Sequence, residues 1–393
     1  MSEFRVDKIT NRTGDTGPQI CGVSTFSGTS GMAMPSGPTE YRGGRGRAVF
    51  QRGYGPSTYT GTDFVEIATK GNAVSFGTAT RMTVQAASAG SSTRGIVAGG
   101  SGPIAPQDQA DYYTFSSKGG YNTFGELTRG RRGTGACNDS TRAVFGGGAG
   151  NAPNPSPNTD IIDYFIFSTT GNASDFGNIT KSARQMAGCS SPTRGCFAGG
   201  YNPVNNIIDY ITIQSKGDAT DFGDLTEPRG SFSGGSNATR GLFASGFDAP
   251  ANYNIIDYIT IATTGNATDF GDTLQTGVHN TGTACSQTRA LFAGGYNDSP
   301  TVTTNVISYA TISTTGNAVD FGDMTSLNGY GDGCSSKLRG VCASGYGTVA
   351  PTNTIVNTME YIEIATTGNS IDFGDVTQKR RHIKGCSNAH GGL

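Results

Sequence analysis

Ala187-Gly188-Cys189-Ser190, then Pro192-Thr193-Arg194-Gly195, then Cys196-Phe197-Ala198-Gly199-Gly200-Tyr201, then Ile207-Ile208-Asp209-Tyr210-Ile211-Thr212-Ile213, and finally Asp221-Phe222-Gly223-Asp224 make up one unit of this chain. Ala187–Ser190 reads as a short strand and 192–195 as a turn. Residues 196–198 read as a second strand ended by the Gly-Gly pair. Over Ile207–Ile213, Asp209, Ile211 and Ile213 point one way and Tyr210 and Thr212 the other, as in a strand with both faces covered. Lys216-Gly217-Asp218 turns the chain, and 219–226 form a fourth strand around Phe222.

The unit recurs. Its Phe-Gly marker returns at Phe76, Phe124, Phe176, Phe222, Phe270, Phe321 and Phe373, with steps of 48, 52, 46, 48, 51 and 52 by subtraction of positions. An Arg keeps the same count at Arg47, Arg94, Arg142, Arg194, Arg240, Arg289 and Arg339. A four-stranded unit of about fifty residues cannot bury both of its faces alone, and repetition at that period predicts radial stacking. The expected fold is therefore all-β, a seven-bladed β-propeller over 44–393, with an extended N-terminal arm over 1–43. After the seventh outer strand, Lys384-Gly385-Cys386-Ser387-Asn388 restarts the unit and stops, whereas Arg47-Ala48-Val49-Phe50 has no such opening before it. The C-terminal segment is expected to supply the innermost strand of the first blade and so remove an open edge.

Composition fits this reading. Gly makes up 61 of 393 residues and Trp is absent, and no window carries a helical apolar period. A formal charge of −2 argues against nucleic acid as a partner. No apolar run reaches spanning length, so no membrane insertion is expected, and the opening Met-Ser-Glu-Phe-Arg lacks a leader's apolar core. Cys137, Cys189, Cys285, Cys334 and Cys386 fall at one point of successive units. They read as small buried side chains on an inner strand, because equivalent positions of adjacent blades are not placed for bridging.

Candidate chemistry is sparse. The Asp-Phe-Gly triplets at Asp175, Asp221, Asp269, Asp320 and Asp372 lack the other kinase motifs, and each Asp is expected to accept backbone N–H bonds at a tight Gly turn. One Arg per blade fits capping or pairing between neighbouring blades better than one asymmetric sugar-acid clamp. Arg42, Arg45, Arg47 and Arg52 read as a solvated or arm-anchoring patch. His279, His382 and His390 show no metal-ligand spacing, so neither metal nor cofactor is called for, and no catalytic residue stands out.

Variation within the repeat is more informative. The Thr-Thr-Gly-Asn turn is nearly constant at 169–172, 263–266, 314–317 and 366–369, while the loop between second and third strands changes in every copy. That loop and the connection to the next blade share one rim, so one face of the ring is uniform and the other diversified. Diverse loops on a rigid scaffold make a binding surface. The candidate ligand-binding residues there are Tyr201, Asn202, Tyr253, Asn254, Tyr296, Asn297 and Asp298.

Phe197-Ala198-Gly199-Gly200 and Phe292-Ala293-Gly294-Gly295 give the layout a resemblance to the kelch repeat, although the outer aromatic is Phe222 where kelch units usually carry Trp. The runs Phe4 to Gly14 and Met34 to Arg47, with Thr263 to Ala267 and Asp269 to Asp272, look like kelch-like virion structural proteins of tailed marine and cyanobacterial bacteriophages. The resemblance implies a virion protein made in the host cytoplasm, bound to other virion proteins through its arm. It implies a displayed binding or decoration module, an adhesin for host surface glycan or protein. Trimers are common among phage fibres, so the implied assembly is a homotrimer. Two rivals stay open: a glycan-active propeller enzyme with its site at the loop rim, and a ligand-free structural cap.

Overall fold

The structure, a computed structural model, describes residues 46–388 apart from 56–59, 103–105, 118, 151–156, 276–281, 299–300 and 350–351, together with a short antiparallel pair, Phe26–Ser27 with Gly31–Met32. The remainder of the expected arm lies outside the described residues, as do His279 and His390.

Seven four-stranded antiparallel sheets account for the ring, and the described residues contain no helix. Blades 1 to 7 are numbered here by their second strands, which start at the seven repeated arginines. Blade 4 has strands Ala187–Ser190, Arg194–Gly200, Asn205–Thr212 and Thr220–Asp224. The third and fourth strands shift by one or two residues at their ends from the sequence reading, and the second strand is longer at both ends. Arg194 starts the second strand rather than sitting in the turn, because it pairs with Thr212. The Gly-Gly pair stays in the ladder through a register shift between Ala198 and Gly200.

Blade 1 is closed as expected. Lys384–Ser387 pairs antiparallel with Arg47–Gln51, in register from Ala48↔Ser387 to Gln51↔Lys384. The Arg47 backbone N–H donates to Asn388 Oδ1 at 2.8 Å, and the Asn388 N–H donates back to the Arg47 carbonyl at 3.1 Å.

Seven apolar clusters fill the seven spaces between blades, which is why strands buried on both faces carry bulky groups on both. Between blades 4 and 5, Cys196, Phe222 and Ile208 meet Phe243, Ile259 and Ile261. The recurrent Tyr packs edge-on against the outer Phe of its own blade, as Tyr210 does on Phe222 at 5.9 Å. Such a pair contributes about 0.5–1.5 kcal/mol beyond burial. The recurrent cysteines are buried free thiols on innermost strands, where they and small neighbours line a channel of about 210 Å³ along the axis.

The uniform rim is built of contacts between blades. Each repeated Arg lies over the aromatic ring of its own third strand, 4.5 Å to 5.2 Å from the centroid. Each then donates to a carbonyl of the next blade: Arg47 to Phe115, Arg94 to Phe167, Arg142 to Ile213, Arg194 to Ile261, Arg240 to Ile312, Arg289 to Ile364, and Arg339 back to Ala68 of blade 1. The ring of donors closes on itself, so the repeated Arg is scaffold, as its periodicity suggested.

The near-constant Gly-Asn turn is a second latch. The Gly265 N–H donates to the Phe222 carbonyl at 2.7 Å, and Asn266 Oδ1 accepts from the Asp224 N–H at 3.1 Å. Gly71 and Asn72 make the same bonds to Phe373 and Asp375, across the closure. Gly223 must be Gly: its φ is +139°, and a Cβ there would meet Gly265 backbone at 2.5 Å. The Asp before it caps the turn, as expected, with Asp221 accepting from the Gly223 N–H at 3.0 Å and Asp175, Asp269, Asp320 and Asp372 doing likewise.

Candidate functional site

On the opposite rim, each connection between blades passes close to the axis just before the next innermost strand. Two residues ahead of that strand stand Gln85, Gly133, Gln185, Ser231, Tyr330 and His382, all in the left-handed region with φ between +53° and +63°. These residues are hydrogen-bonded around the axis. Gly133 N–H donates to Gln85 O, Gln185 to Gly133, Ser231 to Gln185, and His382 to Tyr330, at 2.7 Å to 3.0 Å. A non-Gly residue in this conformation costs of order 1–3 kcal/mol. Gly133 shows that glycine fits the position, yet five of these six residues carry a side chain there.

Buried ion pairs hold the connections beneath this ring. Arg131, Arg229 and Arg380, each two residues ahead of its rim position, reach the third strand of the next blade and pair with Asp163 (2.8 Å), Asp257 (2.9 Å) and Asp63 (2.7 Å). Each Arg also donates to a second-strand carbonyl, respectively Phe145, Phe243 and Phe50. Blade 2 receives its guanidinium from elsewhere. Thr83 stands where those arginines do, and Arg52 of blade 1 pairs with Asp111 at 3.0 Å while donating to Thr83 Oγ1. Arg52 is 1% exposed, so the sequence reading of Arg42, Arg45, Arg47 and Arg52 as a solvated patch is corrected for its two described members. Arg52 is an interior ion-pair partner, and Arg47 is a rung of the interblade ring. Their charges find carboxylate and carbonyl partners on other strands, which proximity in sequence conceals.

In blade 4 the acid stands alone. Ala183 occupies the arginine position, and Asp209 accepts only from the Thr180 N–H (3.0 Å) and hydroxyl (2.8 Å). Burial pushes its carboxyl above the usual range, against those two hydrogen bonds. In blade 6 the acid is replaced by Ser308.

Within the ring of left-handed residues lies a depression of about 690 Å³. Its walls differ around the circumference. On one side stand Arg132 and Arg184, whose guanidiniums have no carboxylate partner among the described residues. Arg184 loses basicity through burial and then through the nearby charge of Arg132. Arg184 lies 5.5 Å over the Tyr201 ring, and Tyr201 stacks on Phe247 with centroids 5.9 Å apart and planes 29° apart. Opposite, His382 lies 4.6 Å from Tyr330. Burial, with the charges of Arg381 and Lys384, depresses the imidazole to about 4, so it is neutral at neutral pH. Lys384 is offset by Asp332 at 3.6 Å. The uncompensated charge of the depression is therefore positive.

Of the residues singled out in the variable loops, Tyr201 lines this depression. Tyr296 stands behind it, 4.8 Å from the lining residue Tyr330. Asn202 is exposed, and its carbonyl accepts from Asn158. Asn297 Oδ1 accepts from Asn252 at 2.9 Å, and the Asn254 carbonyl caps Thr273. The Tyr253 N–H donates to the Gly246 carbonyl at 3.0 Å. None of these four residues lines the depression. Asp298 ends a long hairpin, paired with Thr301, and its side chain lies outside the described set. The residues that build the site, Arg132, Arg184, Gln185, Tyr330 and His382, come from the connections between blades, which the sequence reading placed on this rim but drew no candidates from. The missed signal is a column two residues before each innermost strand that fails to repeat.

Among the described residues no three His, Cys, Asp or Glu side chains gather as a metal site requires. Neither protein-family models nor curated proteins give a match to this chain.

Proposed function

We propose that this chain is a binding module without covalent chemistry, recognising its ligand in the axial depression of the diversified rim. The observation that carries the reading is the contrast between rims. One is a repeated lattice of Arg-to-carbonyl and Asn-to-amide bonds. The other holds non-repeating side chains in strained backbone around a cavity with two guanidiniums that pair with no described carboxylate. Strain retained where glycine would relieve it points to function, and a concave site with few convergent polar groups on a rigid frame is how binding sites are built.

The wider role follows from the resemblance of the arm and the blades to kelch-like virion proteins of tailed phages. On this reading the chain is a phage structural protein, anchored by its arm and displaying the ring toward a host surface. Two measurements test it. Labelled antibody against the chain should decorate intact particles, and absence from purified particles rejects the virion role. The full chain should bind envelope fractions of the infected host, and Tyr201→Ala should weaken that binding. Unchanged binding in a folded Tyr201→Ala protein rejects the depression as the site.

A further inference from the structure

We infer that the axial depression takes a carboxylate-bearing saccharide, its carboxylate held between Arg132 and Arg184 and one sugar face laid on the Tyr201–Phe247 stack. The inference rests on the binding-module reading and specifies its ligand.

Four observations lead there. First, Arg132 and Arg184 both line the depression, Arg184 lowered in basicity by burial and by the charge of Arg132, and no described carboxylate pairs with either. Two adjacent guanidiniums in a concave site are matched by a planar, bidentate anion, the geometry of a carboxylate. Second, the anion is a single group rather than a chain of phosphates. Asp332 stands in the opposite wall next to Lys384, and the chain as a whole carries a net charge of −2. With Lys384 already offset by Asp332, a chain of phosphates would find no uncompensated cation on that wall beyond the two guanidiniums.

Third, the surface beside the guanidiniums is an aromatic face continued by Gln85, Gln185 and Ser231 at the rim. Gln85 and Gln185 make no side-chain hydrogen bond among the described residues. Apolar area flanked by unengaged amides and a hydroxyl suits a pyranose, which offers C–H bonds on a face and hydroxyls on its edge. Fourth, a cavity of about 690 Å³ is of the size that encloses a small ligand, enough for one or two sugar residues.

The test is calorimetric titration of the full chain with D-galacturonate and with sialyllactose, each of which carries one carboxylate. The methyl ester of each serves as a neutral control, and a glutamate-rich peptide as a competing acid. At least one acidic saccharide should bind, and its ester should bind at least tenfold more weakly. Arg184→Gln and Arg132→Lys should each weaken the acid at least tenfold with melting temperatures unchanged. The lysine variant keeps the charge and loses only the forked donor. Equal affinity for acid and ester, indifference to both substitutions, or binding of the peptide but of no saccharide would each overturn the inference. If the chain binds host envelope through Tyr201 while no acidic saccharide binds, the ligand assignment fails and the binding-module reading stands. If envelope binding is also absent, both fail.

Discussion

Replacing Arg229 by Met should cost about 3–5 kcal/mol, the range for breaking a buried ion pair from one side. Arg229 and Asp257 are both inaccessible to solvent, with Nη2 to Oδ2 at 2.9 Å. The same guanidinium donates to the Phe243 carbonyl at 3.2 Å and to the Glu227 carbonyl at 3.3 Å. After the substitution Asp257 keeps the Thr226 N–H and hydroxyl but no cation, and the Phe243 carbonyl loses its guanidinium donor. At about 1–3 kcal/mol for each buried group left unsatisfied, the carboxylate and the carbonyl together cost about 2–6 kcal/mol, so the two routes overlap. Against a total stability of about 5–15 kcal/mol, the loss is large. The protein contains its own remedy, because blade 6 dispenses with the acid by carrying Ser308. The double variant Arg229→Met/Asp257→Ser should therefore recover more than half of the loss. Urea unfolding at pH 7, followed by far-ultraviolet circular dichroism, measures both. A single-variant loss below about 1 kcal/mol, or a double variant no better than the single, would refute the assignment of the interblade connections to these pairs.

Asp209, whose raised carboxyl has no arginine to offset it, stabilises the fold most when protonated. That contribution is lost as pH rises from the ordinary carboxyl range through its folded value, so Asp209→Asn should resist urea better than wild type at pH 7, with the gap closing toward pH 3. His382 has the opposite sign. Its imidazole is depressed from 6.5 to about 4, so stability falls as pH drops through that window, by up to about 3 kcal/mol, and His382→Gln should flatten the profile between pH 7 and pH 4. Arg194→Ala should cost about 1–2 kcal/mol by removing a charged donor to the Ile261 carbonyl and the stack on Tyr210, with Arg194→Lys restoring little of it in the same unfolding assay. Deleting 384–393 removes the innermost strand of blade 1 and uncovers Val49 and Phe50, so gel filtration should show self-association and the melt should broaden. A melt unchanged from the full chain would disprove the closure.

Blade number, strand order, the closing strand and the capping Asp of five of the seven Phe-Gly turns were legible because each follows from comparing the repeated units with one another. The ring of Arg47 to Arg339 was legible as scaffold for the same reason. The buried pairs were not. The acids recur at one third-strand position and three of the arginines at one position of the connections, but each bond crosses from one repeat to the next, so that Arg380 and Asp63 are 317 residues apart and the arginine for Asp111 is Arg52. The site was half legible. The rim was found from loop variability and Tyr201 with it. Arg132 and Arg184 were passed over, and His382 was weighed only for metal spacing, because the left-handed backbone at Gly133, Gln185 and His382 turns their connections toward the axis, and two of those three residues are not glycine and leave no mark in composition. Asn297 has the chemistry of a ligand contact, but its side-chain oxygen accepts a hydrogen bond from Asn252 of the preceding blade.

The hydrogen-bonded partners Arg47 and Asn388 give the ring a direction. Both stand where the first two strands of a blade turn, on the side of the arginine lattice, so the polypeptide enters and leaves the ring on one face at neighbouring points. Anything tethered there, whether particle, fusion partner or solid support, would lie behind the toroid, and the depression would open on the far face.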